Sequence, residues 1–355
     1  MYIISDIHLG CNRVGGTTPA SREALRSYTF SYFKRLLDDV SNDSLCILGD
    51  LFDQFEVAPR DWLETYAALA DWCEVNYDFT LFLVAGNHDV SMKGTKVSSF
   101  ETLSSVLSRQ FTNVRVIGID QVFQTRNLFM VAHHRNQDTF DLALAKVLGE
   151  VKRDDFVLLH ANYHNKFAEA ADHSLNVSEV VARDFVNKGA NLVFAHEHQH
   201  RIEVPHGADK DCGNVIVLGN QFSTSIADCL GNASKFYWEI RGTEITKSLS
   251  WNRDDWYMEA DWRSLDGVNA DFVRVVGDAT NAEAAEVIDT LHRFRQKSDA
   301  FVITNAVKIE GIADIGDLPE TFEVAKKFDV LEFVYSKLDE REVEVIRKMV
   351  EVIND

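Results

Sequence analysis

Leu45-Cys46-Ile47-Leu48-Gly49-Asp50-Leu51-Phe52-Asp53 sets four apolar residues before a glycine and two carboxylates. The apolar run has the length of a strand buried on both faces. The glycine permits a sharp turn and close backbone approach, so the carboxylates stand at the strand's carboxyl end. The same grammar recurs on either side of this stretch. Tyr2–Ser5 ends in Asp6-Ile7-His8, Leu81–Ala85 in Gly86-Asn87-His88-Asp89, Phe156–Leu159 in His160, and Asn191–Ala195 in His196-Glu197-His198. Leu128–Ala132 runs into His133-His134.

Helical patterns lie between the early strands. Ser21–Val40 puts Leu25, Tyr28, Tyr32, Phe33, Leu36 and Leu37 on roughly one face, and Pro59 opens a helix over Arg60–Asn76 with Trp62, Tyr66, Leu69 and Cys73 along one side. Short apolar strands alternating with helices predict an α/β fold, in which ligands collect at the carboxyl ends of the strands. Val215–Ser250 is strand-rich, with turns at Gly219-Asn220, Gly231-Asn232 and Gly242. A boundary is expected in the Trp- and Asp-rich stretch Asn252–Asp266. Beyond it, a strand (Phe272–Val276), a helix (Ala282–Gln296) and a strand (Phe301–Ile309) predict a small α+β unit. Leu338–Ile353 reads as a charged amphipathic helix with Leu338, Val343, Ile346, Met349, Val350 and Ile353 as its apolar positions.

Bulk properties narrow the function. At roughly 150 residues per domain, the 355 residues suggest two domains, and the 46% hydrophobic and 26% charged composition is that of a globular protein. No apolar run approaches the ~18–20 residues of a membrane span, so no membrane partner is expected. Asp6 and His8 break the first apolar stretch too early for a secretory signal, which makes the expected location cytoplasmic, or host cytoplasm for a viral protein. Five scattered cysteines without a CxxC pair indicate neither a disulfide framework nor a thiolate metal site. Cys46, inside an apolar run, reads as a core thiol. A net charge of -20 excludes nucleic-acid binding by bulk electrostatics. It leaves room for a nuclease whose cations, local groove or partner supply positive charge where phosphate sits.

Carboxylates, an amide and imidazoles at five strand ends form a mixed O/N donor set that suits Mn, Fe or Zn better than Ca. The set is large enough for two ions, the arrangement that clamps phosphate and activates water in phosphoryl chemistry. Each piece alone is common; five in order, each after an apolar strand, are not a chance pattern.

The order D-x-H, G-D-x-x-D, G-N-H-[DE], an isolated His and then H-x-H resembles the calcineurin-like metallophosphoesterases. One departure is Ala195, where the family has glycine. The resemblance implies an α/β fold of the four-layer sandwich type, two mixed β-sheets flanked by helices. It implies that Asp6, His8 and His198 hold one metal, that Asp50 bridges, and that Asn87, His160 and His196 complete the second. It makes His88 the residue that contacts the scissile phosphate and protonates the leaving oxygen, positioned by Asp89, with Asp53 orienting a ligand from behind. The implied cofactor is a pair of divalent ions, Mn2+ first, with Mg2+, Fe2+ or Zn2+ as alternatives.

Within that superfamily, Gly49-Asp50-Leu51-Phe52-Asp53 followed by Pro59 resembles SbcD-type DNA repair nuclease subunits of bacteria and phages, and Val217–Ser225 is similar to the loop closing their nuclease domain, with Asn220 where serine is usual. Phe272-Val273-Arg274-Val275 is similar to the first strand of their DNA-capping domain. The resemblance implies residues 1–252 as the nuclease domain, 253–328 as a small α+β capping domain, and 329–355 as a C-terminal helical segment, with Val330–Ile353 docking an SMC-like ATPase of the SbcC type or packing on its own cap. It implies 3′–5′ exonuclease and endonuclease activity by a two-metal-activated hydroxide on DNA, in end processing, recombination and repair, and a homodimer through the helices Ser21–Val40 and Arg60–Asn76. One rival reading is a phosphatase or cyclic-nucleotide phosphodiesterase of the same superfamily, and another is a non-catalytic metal-binding scaffold. A DNA-binding regulator is disfavoured by the acidic charge. His133 and His134 read as a loop pair with no metal role, His164, His200 and His206 as residues that stand behind ligands or in solvent, and Trp251, Trp256 and Trp262 as packing between domains rather than base-stacking platforms.

Overall fold

The computed structural model describes residues 1–11, 19–89, 96–165, 174–210, 212–231 and 234–310. Four parallel strands come first: β1 (Tyr2–Ile4), β2 (Leu45–Leu48), β3 (Leu81–Val84) and β4 (Val114–Ile117). They are separated by α1 (Pro19–Asp39), α2 (Pro59–Val75) and α3 (Ser99–Gln110). Pro59 opens α2, where its missing N–H costs nothing, and a capping box between Ser98 and Glu101 opens α3. The chain continues through β5 (Val122–Thr125), β6 (Leu128–Val131), α4 (Gln137–Glu150), β7 (Phe156–His160), β8 (Asn162–Tyr163), β9 (Asn176–Val177), α5 (Glu179–Asn187), β10 (Asn191–Ala195), β11 (Arg201–Glu203), β12 (Val215–Val217), α6 (Ile226–Gly231), β13 (Ser234–Arg241) and β14 (Glu244–Asn252).

Two six-stranded mixed sheets result. The first runs β14-β13-β1-β2-β3-β4 and the second β11-β12-β10-β7-β6-β5. Period-two alternation explains why they stack. On the second sheet, Met130, Ala132, Phe156, Leu158, Val193, Ala195 and Ile216 belong to the core shared with the first sheet. The intervening Phe129, Val131, Val157, Leu159, Leu192, Phe194, Val215 and Val217 face a separate core built with Phe140 and Leu144 of α4 and Phe185 and Val186 of α5. A one-residue slip of any of these strands would exchange the two apolar faces, so both cores hold the register. The layers are helices, sheet, sheet, helices, as the motif order implies.

After a 3-10 turn at Arg253–Asp255 comes a smaller sheet: β15 (Tyr257–Asp261), β16 (Phe272–Val276), β17 (Asp278–Ala279), α7 (Ala284–Lys297), β18 (Val302–Asn305) and β19 (Lys308–Ile309). β15, β16 and β18 are parallel neighbours in that order, and β17 pairs with β19. Trp262, Val273, Val275, Val287, Leu291 and Ile303 form this unit's own core. Its junction with the larger body is aromatic: Trp256, Phe272 and Phe301 surround Tyr28, with Phe222 and Tyr32 alongside, at ring-centroid distances of 5.1–5.9 Å. Trp256 therefore packs at the junction, as expected, whereas Trp262 packs inside the smaller unit's own core rather than between the units, and Trp251 is buried edge-on to Phe272.

Two expectations need refinement. The stretch Phe301–Ile309 is two strands rather than one, and the short helix α6 interrupts the strand-rich segment Val215–Ser250. The Leu338–Ile353 helix, and everything after residue 310, lies outside the described residues. Among the described residues, no helix is long and apolar enough to cross a membrane.

Candidate metal centre

The loops leaving β1 and β2 run side by side. Asp6 N–H donates to Gly49 O, His8 N–H to Asp50 O and Leu9 N–H to Leu51 O, at 3.2, 3.1 and 2.9 Å, and Asp53 N–H returns a bond to Leu9 O at 3.0 Å. This ladder holds Asp6 and His8 against Asp50 and Asp53. Asp6, His8, Asp50 and His196 have φ of 52°, 51°, 47° and 89°, in the left-handed region that non-glycine residues avoid. Such conformations persist only where the surroundings over-determine them. Two glycines make the space: a Cβ on Gly49 would stand 2.0 Å from His160 Nδ1, and one on Gly86 would stand 2.2 Å from Asp50 Oδ1.

The seven expected ligand side chains converge at one edge, in two adjoining groups. Asp6, His8 and His198 place one donor atom each within 4.8 Å of one another, as do Asp50, His160 and His196. In the first group, His8 Nε2 and His198 Nε2 face each other at 3.1 Å. In the second, Asn87 Oδ1 lies 2.9 Å from His160 Nε2 and 3.0 Å from His196 Nδ1, and Asp50 Oδ2 lies 3.3 Å from His160 Nε2. His160 Nδ1–H donates to Leu48 O at 3.0 Å, which turns Nε2 toward the group. His196 N–H donates to Asp6 Oδ2 at 3.1 Å and joins the two groups.

Charge is dense here. Burial opposes ionisation of Asp50, but His160, His88 and His8 around it outweigh burial and hold its carboxyl well below the usual range. Burial likewise opposes protonation of His160, and the Asp50 charge and hydrogen bond overcome it, raising the imidazole to about 9. Asp89, pushed by burial and by the Asp50 charge, is raised to about 7. Asp6 Oδ1 is buried without a hydrogen-bond partner among the described residues. A buried carboxylate oxygen left bare and two imidazole nitrogens aimed at one point fit a divalent cation, and the all-O/N donor set fits Mn, Fe or Zn.

The family model for calcineurin-like phosphoesterases matches residues 1–200. The chain belongs to the calcineurin-like phosphoesterases. Members of this family bind two divalent metal ions, and the two side-chain groups are candidate ligand clusters for such ions. Solved structures with a likeness include TT1561 of Thermus thermophilus, at 11% identity and a TM-score of 0.41, covering 70% of this chain and 98% of that one. Another is a Staphylococcus aureus protein named as a candidate 5′-nucleotidase and solved with alpha-ketoglutarate, at 11% identity and a TM-score of 0.31, covering 70% and 52%. Neither likeness bears on what this chain acts on. No curated protein matches the chain.

The family departure at Ala195 is harmless: the residue lies in β10 without positive φ, and the left-handed turn falls on His196 instead. The residue expected to position His88 is different from the one that touches it. Asp89 is turned inward, its Oδ2 accepting the Gly86 N–H at 2.9 Å, while His88 Nδ1–H donates to the carbonyl of Asp53 at 2.5 Å. The reason is geometric: the Gly86–Asp89 turn closes on its own amide, and the Asp53 carbonyl already faces the His88 ring. Asp53 also sets Oδ1 3.4 Å from His8 Nδ1, behind a candidate ligand. His88, 30% exposed, is half-buried like Asn87, His196 and His198, with Nε2 3.8 Å from Asp50 Oδ2.

Of the histidines read as bland, His164 and His206 are exposed, His200 packs edge-on to Phe236, and His134 donates to Ala132 O. His133 is different. It is buried, its N–H donates to Ala85 O ahead of the Gly86 turn, and burial and the charge of His160 lower it to about 3. Sequence reasoning also missed Asp228, which accepts from His198 Nδ1 at 2.6 Å. Its only local signal is Ser225-x-x-Asp228 at the start of α6, a helix-start pattern that says nothing about a histidine thirty positions earlier.

Proposed function

We propose that this phosphoesterase is a metal-dependent DNA nuclease, cleaving phosphodiesters exonucleolytically from 3′ ends and endonucleolytically, as a homodimer working with an SMC-like ATPase. The observation that carries the reading beyond the family is the appended sheet. β15–β18 are fixed by the Tyr28–Phe222–Phe272 aromatic junction to the body that bears the metal groups. A rigid second surface suits a polymer gripped on both sides of the scissile bond. The Gly49–Asp53 motif and the cap-like strand Phe272–Val276 support it. Leu63 and Val75, apolar and exposed on α2, support the dimer. With a net charge of -20, the electrostatic share of substrate binding falls to the bound cations and the partner.

Asp6, His8 and His198 would hold one ion and Asn87, His160 and His196 the other, with Asp50 between them. The ions, when bound, supply Lewis-acid stabilisation of the phosphate and an activated water. The chain's own residues do the rest. The strained loops fix the donors before substrate arrives. The Asp53 carbonyl takes the Nδ1–H of His88, so Nε2 is the atom presented to the substrate and the one placed to give a proton to the leaving oxygen.

The test is incubation of the purified chain and Mn2+ with linear and hairpin DNA, with and without the ATPase and ATP. Cleavage is expected; no cleavage in any arm, with turnover of a phosphomonoester or cyclic nucleotide instead, would sink the nuclease reading. His88→Ala should abolish cleavage and keep both ions, and loss of metal with it would show the role to be misassigned.

A further inference from the structure

His198 is gripped from two sides by chain that follows it. Its Nδ1 lies 2.6 Å from Asp228 Oδ1, and its backbone carbonyl accepts from Lys235 Nζ at 2.9 Å. Both gripping residues are buried, at 2% and 1% exposure. The other oxygen of Asp228, Oδ2, accepts from Thr224 N–H at 2.9 Å, Thr224 Oγ1–H at 3.1 Å and Ser225 N–H at 3.1 Å. Three donors on one oxygen favour the ionised carboxylate, which can only accept at the other. The proton between Asp228 and His198 therefore belongs to His198 Nδ1, and the lone pair of the ring belongs to Nε2, the atom that faces His8 Nε2. The carboxylate is itself held in place: α6, which carries Asp228, packs on β16 and β18 of the appended sheet, and Ser225 Oγ accepts the Asp228 N–H at 3.2 Å.

We propose that Asp228 is a positioning residue for the ion held by Asp6, His8 and His198, fixing the tautomer and the ring angle of His198 so that Nε2 is a preformed ligand. The inference rests on the two-ion reading above and deepens it. A carboxylate behind a metal-binding imidazole also makes the ring more basic, and removal of such a partner typically weakens metal binding about 10–100-fold. Lys235 completes the device from the backbone side and offsets the buried charge of Asp228. The second group has no such carboxylate on His160, whose Nδ1 is held by the Leu48 carbonyl, so the two ions should respond differently to the same substitution.

The experiment counts ions and their affinities by calorimetry and by dialysis with elemental analysis, using Mn2+, for the full chain and for Asp228→Asn. The asparagine cannot satisfy both sides, since an amide donor must face either the ring N–H or the Thr224 and Ser225 donors. The wild type should bind two ions. The variant should bind one as the wild type does and the other about 10–100-fold more weakly, and the paramagnetic resonance spectrum of the Mn2+ form should change from that of a coupled pair to that of an isolated ion. Retained binding of the second ion certifies that the variant is folded. Should Asp228→Asn fail to fold, Thr224→Val carries the test: loss of one donor to Oδ2 should weaken the same ion alone by a few-fold. Two ions bound by the variants with unchanged affinity, against two in the wild type, overturns this inference and leaves the function standing. Fewer than two ions in the wild type overturns the two-ion reading and this inference with it.

Discussion

Gly49→Ala tests whether the second ligand group depends on the backbone of β2. The glycine has φ +82°, and an added Cβ would stand 2.0, 2.5 and 2.7 Å from Nδ1, Cγ and Cε1 of His160. The left-handed backbone alone costs an alanine about 1–2 kcal/mol. The clash adds a second cost, because the atoms met are those of a rigid, buried ring whose Nδ1–H is tied to Leu48 O. Displacing that ring gives up a hydrogen bond of about 1 kcal/mol and overpacks a filled core at about 1–3 kcal/mol. Gly242 separates the two costs: its φ is +62° and nothing lies within 4 Å of its virtual Cβ, so Gly242→Ala carries the backbone cost only. Urea denaturation should therefore place Gly49→Ala about 2–4 kcal/mol below Gly242→Ala. Metal analysis should show both ions in Gly242→Ala and loss of the ion near His160 in Gly49→Ala. If the two variants were equally stable and both held two ions, the ring would have room the structure denies it, and the argument that this glycine admits His160 to the site would fail.

Other perturbations bear on the rest of the molecule. At pH 7.5 the His160 imidazole, raised to about 9, is protonated in the cation-free protein and must lose that proton to act as a ligand. Mn2+ binding should accordingly release about one proton in calorimetry across buffers of different ionisation enthalpy, and affinity should rise with pH up to the imidazole's raised value; a buffer-independent enthalpy would remove His160 from the ligand set. Phe272→Ala should cost about 3–5 kcal/mol and lower cleavage of long DNA more than of a small phosphodiester, with both ions kept; equal losses on the two substrates would deny the appended sheet a part in substrate grip. Burial pushes the thiols of Cys73 and Cys229 up to about 12, and that of Cys46 higher still. An aromatic disulfide reagent at neutral pH should leave these three unmodified until the chain is unfolded, and their rapid labelling in the native protein would contradict the packed cores.

What could be read from the sequence follows a physical line. Asp6, His8, Asp50, Asn87, His160, His196 and His198 each follow a short apolar strand, so one local pattern announces both the strand and the residue at its end. Strand ranges were legible for the same reason, Leu45–Leu48, Asn191–Ala195 and Phe272–Val276 being those observed. The partner of His88 was not legible, because the acid next to it in the chain looks nearer than a carbonyl thirty-five residues earlier; the folded loops reverse that order. Helices α3 and α4 are hard to read in spite of the Ser98–Glu101 capping box, since α3 has few apolar positions and α4 carries apolar residues off its buried face, Leu142 among them.

The supports of the site obey a different rule from its ligands, and that is why they are hidden. Strand ends deliver donors to one edge of the sheets, but they leave each imidazole free to rotate about its own bonds; something must fix the rotation. For His160 the restraint is the carbonyl that precedes Gly49, on a strand adjacent in the structure and 112 residues away in sequence. For His198 it is Asp228 on a six-residue helix and Lys235 at the start of β13. Helix α6 has no amphipathic signature of its own at that length and is held in place by Phe272's sheet rather than by propensity. Local sequence thus sets the donors, and tertiary contact sets the restraint on them. The appended sheet, by packing on the helix that carries Asp228, becomes part of the metal centre's support as well as a second surface beside it.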